Sequence, residues 1–305
     1  MGHGHTHPPA TVGGGQRRRL AVVLVLTLAV LAAEVVGAAV SGSLALLADA
    51  GHMATDAAGT ALALAAVSLA QRPAGGRRTF GWQRVEILAA VANGLLLVAV
   101  AAYVLVQAVR RIGEPPEIGS GLMLAVACVG LAVNLVSLAV LHQARGESLN
   151  VRGAYLEVLA DALGSVTVIV AALVIAVTGW TAADTLASLL IGVLVLPRAW
   201  HLLREALDVL LEAAPKDVDL DDVRAHILGV DGVIGVHDLH AWTITSGLPV
   251  LSAHVVVTDA ALADGHGGRV LDALCACLGG HFELEHCTFQ LEAETHAGHE
   301  SPVHD

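Results

Sequence analysis

The sequence predicts an α-helical membrane protein, with six transmembrane helices followed by a small α+β domain whose element order is α-β-β-α-β. Two observations predict this fold. Hydrophobic residues make up 55% of the 305-residue chain, above the roughly 45–50% of soluble domains. The excess lies in the first two-thirds of the chain, in nearly uncharged runs of about 20 residues or more. A helix of that length crosses the ~30 Å hydrocarbon core of a bilayer.

Six apolar runs alternate with short polar segments. The run behind Arg17, Arg18 and Arg19 is too long for a signal peptide and lacks a clear small-residue cleavage site, so we interpret it as the first span. The six predicted spans cover about 20–40, 44–70, 85–109, 121–141, 153–177 and 185–203.

Composition divides the chain into four parts. The N-terminal part is rich in Gly, Pro and His and cannot bury a core, so we expect it to be disordered. The four predicted parts are a His-rich N-terminal tail at 1–16, a six-span transmembrane domain at 17–212, an α+β domain at 213–292 and a His-rich C-terminal tail at 293–305.

The arginines predict the orientation of the chain. An even number of spans places both termini on one side of the bilayer. Only Arg110 and Arg111 fall on the opposite side. The positive-inside rule therefore predicts that both termini are cytoplasmic. We expect the protein to lie in the plasma (inner) membrane. The arginines on the side of the termini include Arg17, Arg18, Arg19, Arg72, Arg77, Arg78, Arg84, Arg145 and Arg152.

The pattern beyond the last span predicts the small domain. DVDLDDVRAHILGV has helical periodicity, and Asp219 can cap it. VIGVHDLHAWTI and LPVLSAHVVVT alternate as strands do and are separated by a Ser-Gly turn. GGRVLDALCACLGG predicts a second helix and HCTFQLE a last strand. We expect an antiparallel sheet covered by helices on one face.

Charge and cysteine content exclude several classes of partner. From Glu205 onward the chain has 18 acidic residues and three basic ones, so no basic stripe exists for nucleic acid. An acidic domain with many histidines suits cations instead. The cysteines Cys128, Cys275, Cys277 and Cys287 form no CxxC motif, and we expect a reduced, intracellular domain without disulfides.

Ionisable side chains within the apolar runs carry the main functional signal, because one at the bilayer centre costs on the order of 2.5–3.5 kcal/mol. Span 2 contains Asp49, His52 and Asp56, spaced three and four apart and therefore near one helical face. Span 5 contains Glu157 and Asp161, again four apart. We expect no lysine or arginine in the middle of a span to neutralise these acids.

If spans 2 and 5 face each other, these pairs form a metal site. His52, Asp56, Glu157 and Asp161 supply one nitrogen and three carboxylates, a number that suits a tetrahedral divalent ion. Asp49 is assigned to the approach to the site or to the support of its ligands. The other interpretation is a polar seam in which the same groups pair with one another.

Other functional classes lack their motifs. The chain contains no HExxH, which a metalloprotease would need, and no GxxxxGK[ST], which an ATPase would need. We therefore expect a secondary transporter rather than an enzyme. A membrane metal sensor that transports nothing, and a proton channel whose flux is independent of metal, remain as alternatives.

Four ordered segments carry a family resemblance: SGSLALLADAGHMATDAAG, FGWQRVEILAAVANG, NVRGAYLEVLADALGSV and GVHDLHAWTITSG. With them the chain resembles the cation diffusion facilitator family, in particular zinc exporters of the bacterial cobalt–zinc–cadmium resistance type. The resemblance implies a proton-coupled homodimer whose transport site lies on spans 2 and 5, at the four positions already singled out. Zinc members usually have histidine where this chain has Glu157.

The resemblance also implies that the α+β domain is metallochaperone-like, binds regulatory Zn²⁺ and takes part in dimerisation. Candidate ligands there are His237, His254, His286 and Glu292. We expect export of Zn²⁺, with Co²⁺ or Cd²⁺ as further substrates, by metal/proton antiport and without a prosthetic group. Because carboxylates are harder ligands than imidazole, a carrier that prefers Mn²⁺ or Fe²⁺ is the alternative within the family.

Overall fold

The computed structural model describes residues 14–112, 116–142, 149–245, 247–263, 266–282, 284 and 286–297. Residues 1–13 of the predicted N-terminal tail, with His3, His5 and His7, lie outside the described residues, and so do residues 298–305 of the C-terminal tail. The first helix begins at Gly14, within the segment that we predicted to be disordered.

Six long helices form the first two-thirds of the chain. All six are long and apolar enough to cross a membrane, which confirms the predicted spans. All but the second extend beyond the predicted span, because the backbone hydrogen-bond ladder continues past the apolar run into polar residues. The helices are α1 (Gly14–Ser41), α2 (Leu44–Ala70), α3 (Val85–Arg111), α4 (Ser120–His142), α5 (Leu149–Thr178) and α6 (Ala182–Leu210).

The chain divides into two compact units. The first comprises residues 1–62 and 92–201, and the second comprises residues 63–91 and 202–305. The first unit therefore holds most of the six helices, and within it α4 packs along both α5 and α1. Its core is rich in alanine, including Ala45, Ala127 and Ala171. Such small side chains let membrane helices approach closely.

The start of α2 is fixed by a residue of another helix. The Asp184 carboxylate of α6 is fully buried and accepts hydrogen bonds from the Ser43 hydroxyl at 2.5 Å and the Leu44 amide at 2.7 Å. It also accepts from the Ala45 amide at 3.1 Å, and Arg111 of α3 lies 3.4 Å from it. Asp184 thus caps α2 in the way that a local N-cap residue would.

The C-terminal domain has the predicted α-β-β-α-β order, with two short helices added. The Asp219 side chain caps the first helix of this domain and accepts a hydrogen bond from the Asp221 amide at 2.9 Å. The elements are α7 (Leu220–Leu228), β1 (Val233–Thr243), β2 (Pro249–Val257), α8 (Asp259–Leu262), α9 (Gly267–Phe282), β3 (His286–Ala293) and α10 (Glu294–Ala297).

The sheet has the strand order β1-β2-β3 and is mixed. β1 and β2 are antiparallel, but β3 runs parallel to β2, so the expectation of an antiparallel sheet was wrong for this strand. The reason is the connection: α9 carries the chain back along the sheet, and a helical crossover joins parallel strands. The buried core combines helical and strand side chains, namely Val223, Ile227, Leu274, Leu278, Leu251, Ala253 and Val255.

Candidate metal sites

Three of the predicted transport residues converge within the first unit. His52, Asp56 and Asp161 each offer a ligand atom, and these atoms all lie within 4.8 Å of one another. His52 and Asp161 are buried, and His52 Nε2 lies 3.6 Å from Asp56 Oδ2. A tetrahedral ion with bonds of ~2.0–2.2 Å holds its ligands roughly 3.3–3.6 Å apart. A small contraction would therefore bring the three onto one ion.

Each of these residues also has a polar atom that is not satisfied by the protein. His52 Nδ1, Asp56 Oδ1 and Asp161 Oδ1 are buried and have no hydrogen-bond partner within the part of the chain that the structure describes. Buried polar atoms are normally paired, because an unpaired one loses its hydration without compensation. Atoms with this property fit a site that is completed by water or by a cation.

Glu157, the fourth predicted ligand, is not among the three grouped residues and forms an ion pair with Arg198. Its Oε1 accepts a hydrogen bond from Arg198 Nη2 at 3.0 Å, and Arg198 Nη1 donates to Asp56 Oδ2 at 3.1 Å. The structure therefore groups Asp56 with His52 and Asp161, and it joins Glu157 to the group through the guanidinium of Arg198.

The expectation that no lysine or arginine within a span would neutralise these acids was wrong. Arg198 belongs to α6, within the apolar run LLIGVLVLPRAW and inside the predicted sixth span. The sequence feature that could have indicated this pairing was an arginine in an apolar run, since such residues pair with acids or line polar cavities. Its partners could not be read from the sequence, because they lie 142 and 41 residues away on other helices.

Asp49 lies beside the site and packs against α5. Its carboxylate is 1% exposed and lies directly against the backbone of Gly164, where any side chain would overlap it. Gly164 follows Asp161 by three residues on the same helix. Asp49 thus contacts the helix that bears Asp161 but is not among the three grouped ligands. Its role at the approach or in support of the ligands remains a prediction.

A second polar region lies among α1, α4 and α5. Glu34 is fully buried, and a Cβ on Gly130 would lie 3.1 Å from Glu34 Oε1 and 3.4 Å from Ser165 Oγ. Both Glu34 oxygens and Ser165 Oγ lack a hydrogen-bond partner among the described residues. Gly130 makes room for these groups, and polar groups of this kind hold buried water.

A second group of ligand atoms lies in the C-terminal domain. Atoms of His237, His254 and Glu292 lie within 4.8 Å of one another. Glu292 is buried, with Oε2 3.2 Å from His237 Nε2 and Oε1 2.9 Å from His254 Nδ1. The two imidazole rings are 5.2 Å apart. Gln290 donates a hydrogen bond to Glu292 Oε1 at 2.7 Å and holds the carboxylate in place.

The sheet explains this convergence. His237 of β1 and His254 of β2 are directly opposed in the antiparallel register. Because β3 is parallel to β2, Glu292 near its end pairs with Val256, two residues beyond His254. A bulge follows His237, with Asp238 at a φ of 51°, a conformation that few residues other than glycine adopt.

His286 does not join this group within the chain. It begins β3, six residues before Glu292, a separation of roughly 20 Å along a strand. Its ring packs edge-on against Phe80, with a centroid distance of 5.9 Å. Placing His286 with the other three ligands in one chain was therefore wrong. His286 and Glu292 lie near opposite ends of β3, and only the Glu292 end lies beside His237 and His254.

Two family models match this chain, one for each of its two parts. The cation efflux transmembrane domain matches residues 20–211, and the cytoplasmic domain of cation efflux proteins matches residues 215–294. The cation efflux system protein CzcD of an Alcaligenes species is 48% identical over 291 residues, covering 95% of this chain and 90% of its own. The zinc transporter ZitB of Escherichia coli is 40% identical over 295 residues, covering 96% and 93%.

Two further proteins are similar. The cadmium, cobalt and zinc/H(+)-K(+) antiporter of Bacillus subtilis is 38% identical over 299 residues, covering 97% of this chain and 93% of its own. The metal-bound C-terminal domain of the CzcD transporter from Cupriavidus metallidurans is 40% identical, covering 25% of this chain and 99% of that one, with a TM-score of 0.23. The family matches span nearly the whole chain, which therefore belongs to the cation efflux family of multi-pass membrane proteins, the cation diffusion facilitators.

Proposed function

We propose that this protein exports divalent transition-metal ions, Zn²⁺ first among them, through a site formed by His52, Asp56, Glu157 and Asp161. The observation that carries the proposal is the convergence of ligand atoms of His52, Asp56 and Asp161, each of which also has a buried polar atom without a hydrogen-bond partner among the described residues. These residues belong to helices that are apolar enough to cross a membrane. Membership of the cation efflux family supports transport in the outward direction. Relatives named for zinc, cobalt and cadmium support the class of ion.

The exchange partner is the proton. A divalent ion binds neutral imidazole and ionised carboxylates, so binding at His52, Asp56 and Asp161 releases whatever protons these groups hold. When the site opens to the other side, protons compete for the same atoms and free the metal. This gives metal/proton antiport from the ligands themselves, with no phosphate-driven domain.

The protein acts as a homodimer in the plasma (inner) membrane, with both termini in the cytoplasm. Two features support this: the excess of arginine in the loops on the side of the termini, and the C-terminal family domain, which is named for dimerisation. The group of His237, His254 and Glu292 supplies two nitrogens and a carboxylate, which suit regulatory Zn²⁺. Metal there favours one conformation of the dimer, as other cation-driven switches do.

The preference for zinc rests on His52. The alternative is a carrier for Mn²⁺ or Fe²⁺, and Glu157 favours it because three carboxylates make a harder ligand set. Uptake of Zn²⁺, Co²⁺, Cd²⁺, Mn²⁺ and Fe²⁺ by wild type and by Glu157→His separates the two. Zinc preference in wild type supports the proposal, and a switch from Mn²⁺ or Fe²⁺ to Zn²⁺ in the variant supports the alternative.

The proposal is tested by zinc uptake into proteoliposomes that contain a trapped fluorescent chelator. Asp161→Asn keeps the shape of the side chain and removes a charged ligand, so we expect zinc uptake to be abolished. Glu117→Gln, at an exposed position before α4, is the matched control and should transport normally. Normal uptake by Asp161→Asn would overturn the site. Absence of uptake by wild type would favour a metal sensor.

A further inference from the structure

We propose that Arg198 is a tethered counter-cation of the transport site, whose guanidinium competes with the transported ion for the carboxylates of Asp56 and Glu157. This inference rests on the proposed transport site and assigns to it a residue that sets the affinity for the ion and the rate of its release. Arg198 is contributed by α6, a helix that provides none of the four proposed ligands.

The geometry is that of a fork between two helices. Arg198 Nη1 lies 3.1 Å from Asp56 Oδ2 of α2, and Nη2 lies 3.0 Å from Glu157 Oε1 of α5. A planar guanidinium with donors in fixed directions suits two carboxylates at once, as a single ammonium does not. One side chain therefore links the two helices that carry the proposed transport ligands.

The competition follows from a shared atom. Asp56 Oδ2, which accepts the hydrogen bond from Arg198, is also the oxygen that lies 3.6 Å from His52 Nε2. An ion held between His52 and this oxygen would approach Nη1 closely, and two cations repel at such a distance. Since the guanidinium is effectively always protonated, it leaves by moving away and not by losing a proton.

Arg198 is placed to move. Its side chain is 42% exposed, whereas that of Asp56 is 14% exposed. Pro197 directly precedes it inside α6 and removes one backbone hydrogen bond, which weakens the helix at this point. Within the described residues, no other lysine or arginine forms an ion pair with Asp56, Glu157 or Asp161.

A competitor has two opposite effects on transport. The guanidinium lowers the affinity of the site for the ion, because the ion must displace it. It also speeds release, because it rebinds the two carboxylates as the ion leaves. Removing Arg198 should therefore lower KM and kcat together. A residue that only supports the ligands would raise KM when removed, and a residue needed only for folding would reduce the transport rate without lowering KM.

The test measures initial rates of zinc uptake against zinc concentration in proteoliposomes. For Arg198→Gln we expect KM to fall at least about fivefold, the low end of coupling between sites, with a lower kcat. Arg198→Lys keeps the charge but cannot bridge both carboxylates in the same way. Its KM and kcat should lie between those of wild type and Arg198→Gln. Arg204→Gln, an exposed arginine of the same helix, is the control and should match wild type.

Several outcomes would overturn the inference. An unchanged or raised KM in Arg198→Gln would show that the guanidinium does not compete with the ion. If Arg198→Gln does not fold, Arg198→Met, which also removes the charge, is measured in its place, and an unchanged KM has the same meaning. Asp161→Asn in the same assay separates this inference from the proposed function. If Asp161→Asn is inactive and KM of the arginine variants does not fall, only the role of Arg198 is lost. If Asp161→Asn is active, the site itself is wrong.

Discussion

Gly164 of α5 lies directly against the carboxylate of Asp49 of α2, so closely that a side chain at residue 164 would overlap it. Asp161 precedes this contact by three residues on α5, and His52 follows Asp49 by three residues on α2. The contact between Gly164 and Asp49 therefore sets how near the two ligand-bearing helices lie at the proposed site.

Gly164→Ala should push α2 and α5 apart. Overpacking of a tight contact typically costs about 1–3 kcal/mol, and the separation should also widen the spacing of the ligands. We expect a lower midpoint of thermal unfolding in detergent and zinc uptake reduced at least about tenfold, since a small misplacement of binding groups has large effects on rate. Gly121→Ala in α4 is the control, because no atom lies within 4 Å of its added carbon. Equal behaviour of the two variants would contradict the importance of this contact.

The sequence predicted the six spans and the two pairs on spans 2 and 5, because hydropathy and i, i+4 spacing are local properties of a helix. It could not predict the partners of Arg198, which depend on how α2, α5 and α6 are arranged. The direction of β3 depended on the path of α9, and this direction also decides that Glu292, rather than His286, meets His254. The sequence thus predicted the candidate ligands, and tertiary structure decided how they are grouped.

Asp184 should be important for stability although it lies outside the proposed sites. Replacing it with asparagine leaves Arg111 without its carboxylate and weakens the cap of α2. Because the Arg111 side chain is 26% exposed, the cost should lie below the roughly 3–5 kcal/mol of a fully buried ion pair, but above the roughly 1 kcal/mol of a single hydrogen bond. We therefore expect the unfolding midpoint to fall more for Asp184→Asn than for Ser43→Ala, measured by thermal denaturation in detergent. Equal midpoints for wild type and Asp184→Asn would show that the cap adds nothing.

The C-terminal group should hold one zinc ion per chain. His254→Ala removes one of its two nitrogen ligands, so equilibrium dialysis of the full-length protein should show one zinc ion fewer per chain than wild type. His286→Ala is the comparison, because His286 lies at the far end of β3 and contacts Phe80. We expect it to bind as much zinc as wild type. If His286→Ala loses the ion and His254→Ala retains it, the assignment of ligands is wrong.

Cys287 should react slowly at neutral pH. Burial, and secondarily the nearby Cys275, raise the pKa of the Cys287 thiol to about 11. The reactive thiolate is therefore scarce near pH 7, and its alkylation rate should rise about tenfold per pH unit until the pKa is reached. In the unfolded chain the pKa of cysteine is about 8.5, so this thiol stabilises the fold below that pH and the contribution is lost as the pH rises towards 11.

The comparison for Cys287 is Cys275, which is exposed. Mass spectrometry of the full chain after timed treatment with iodoacetamide follows the two sites separately. We expect Cys275 to be modified first at pH 7. Faster modification of Cys287 would mean that its thiol is neither shielded nor raised in pKa.

In the proposed mechanism, a divalent ion and protons exchange at one site on α2 and α5. The decisive measurement records zinc and proton fluxes in the same proteoliposomes, with one dye for each, for wild type and for Asp161→Asn. We expect a zinc gradient to drive protons in the opposite direction in wild type, and neither flux in the variant. Zinc flux without proton movement in wild type, or undiminished zinc flux in Asp161→Asn, would contradict the account.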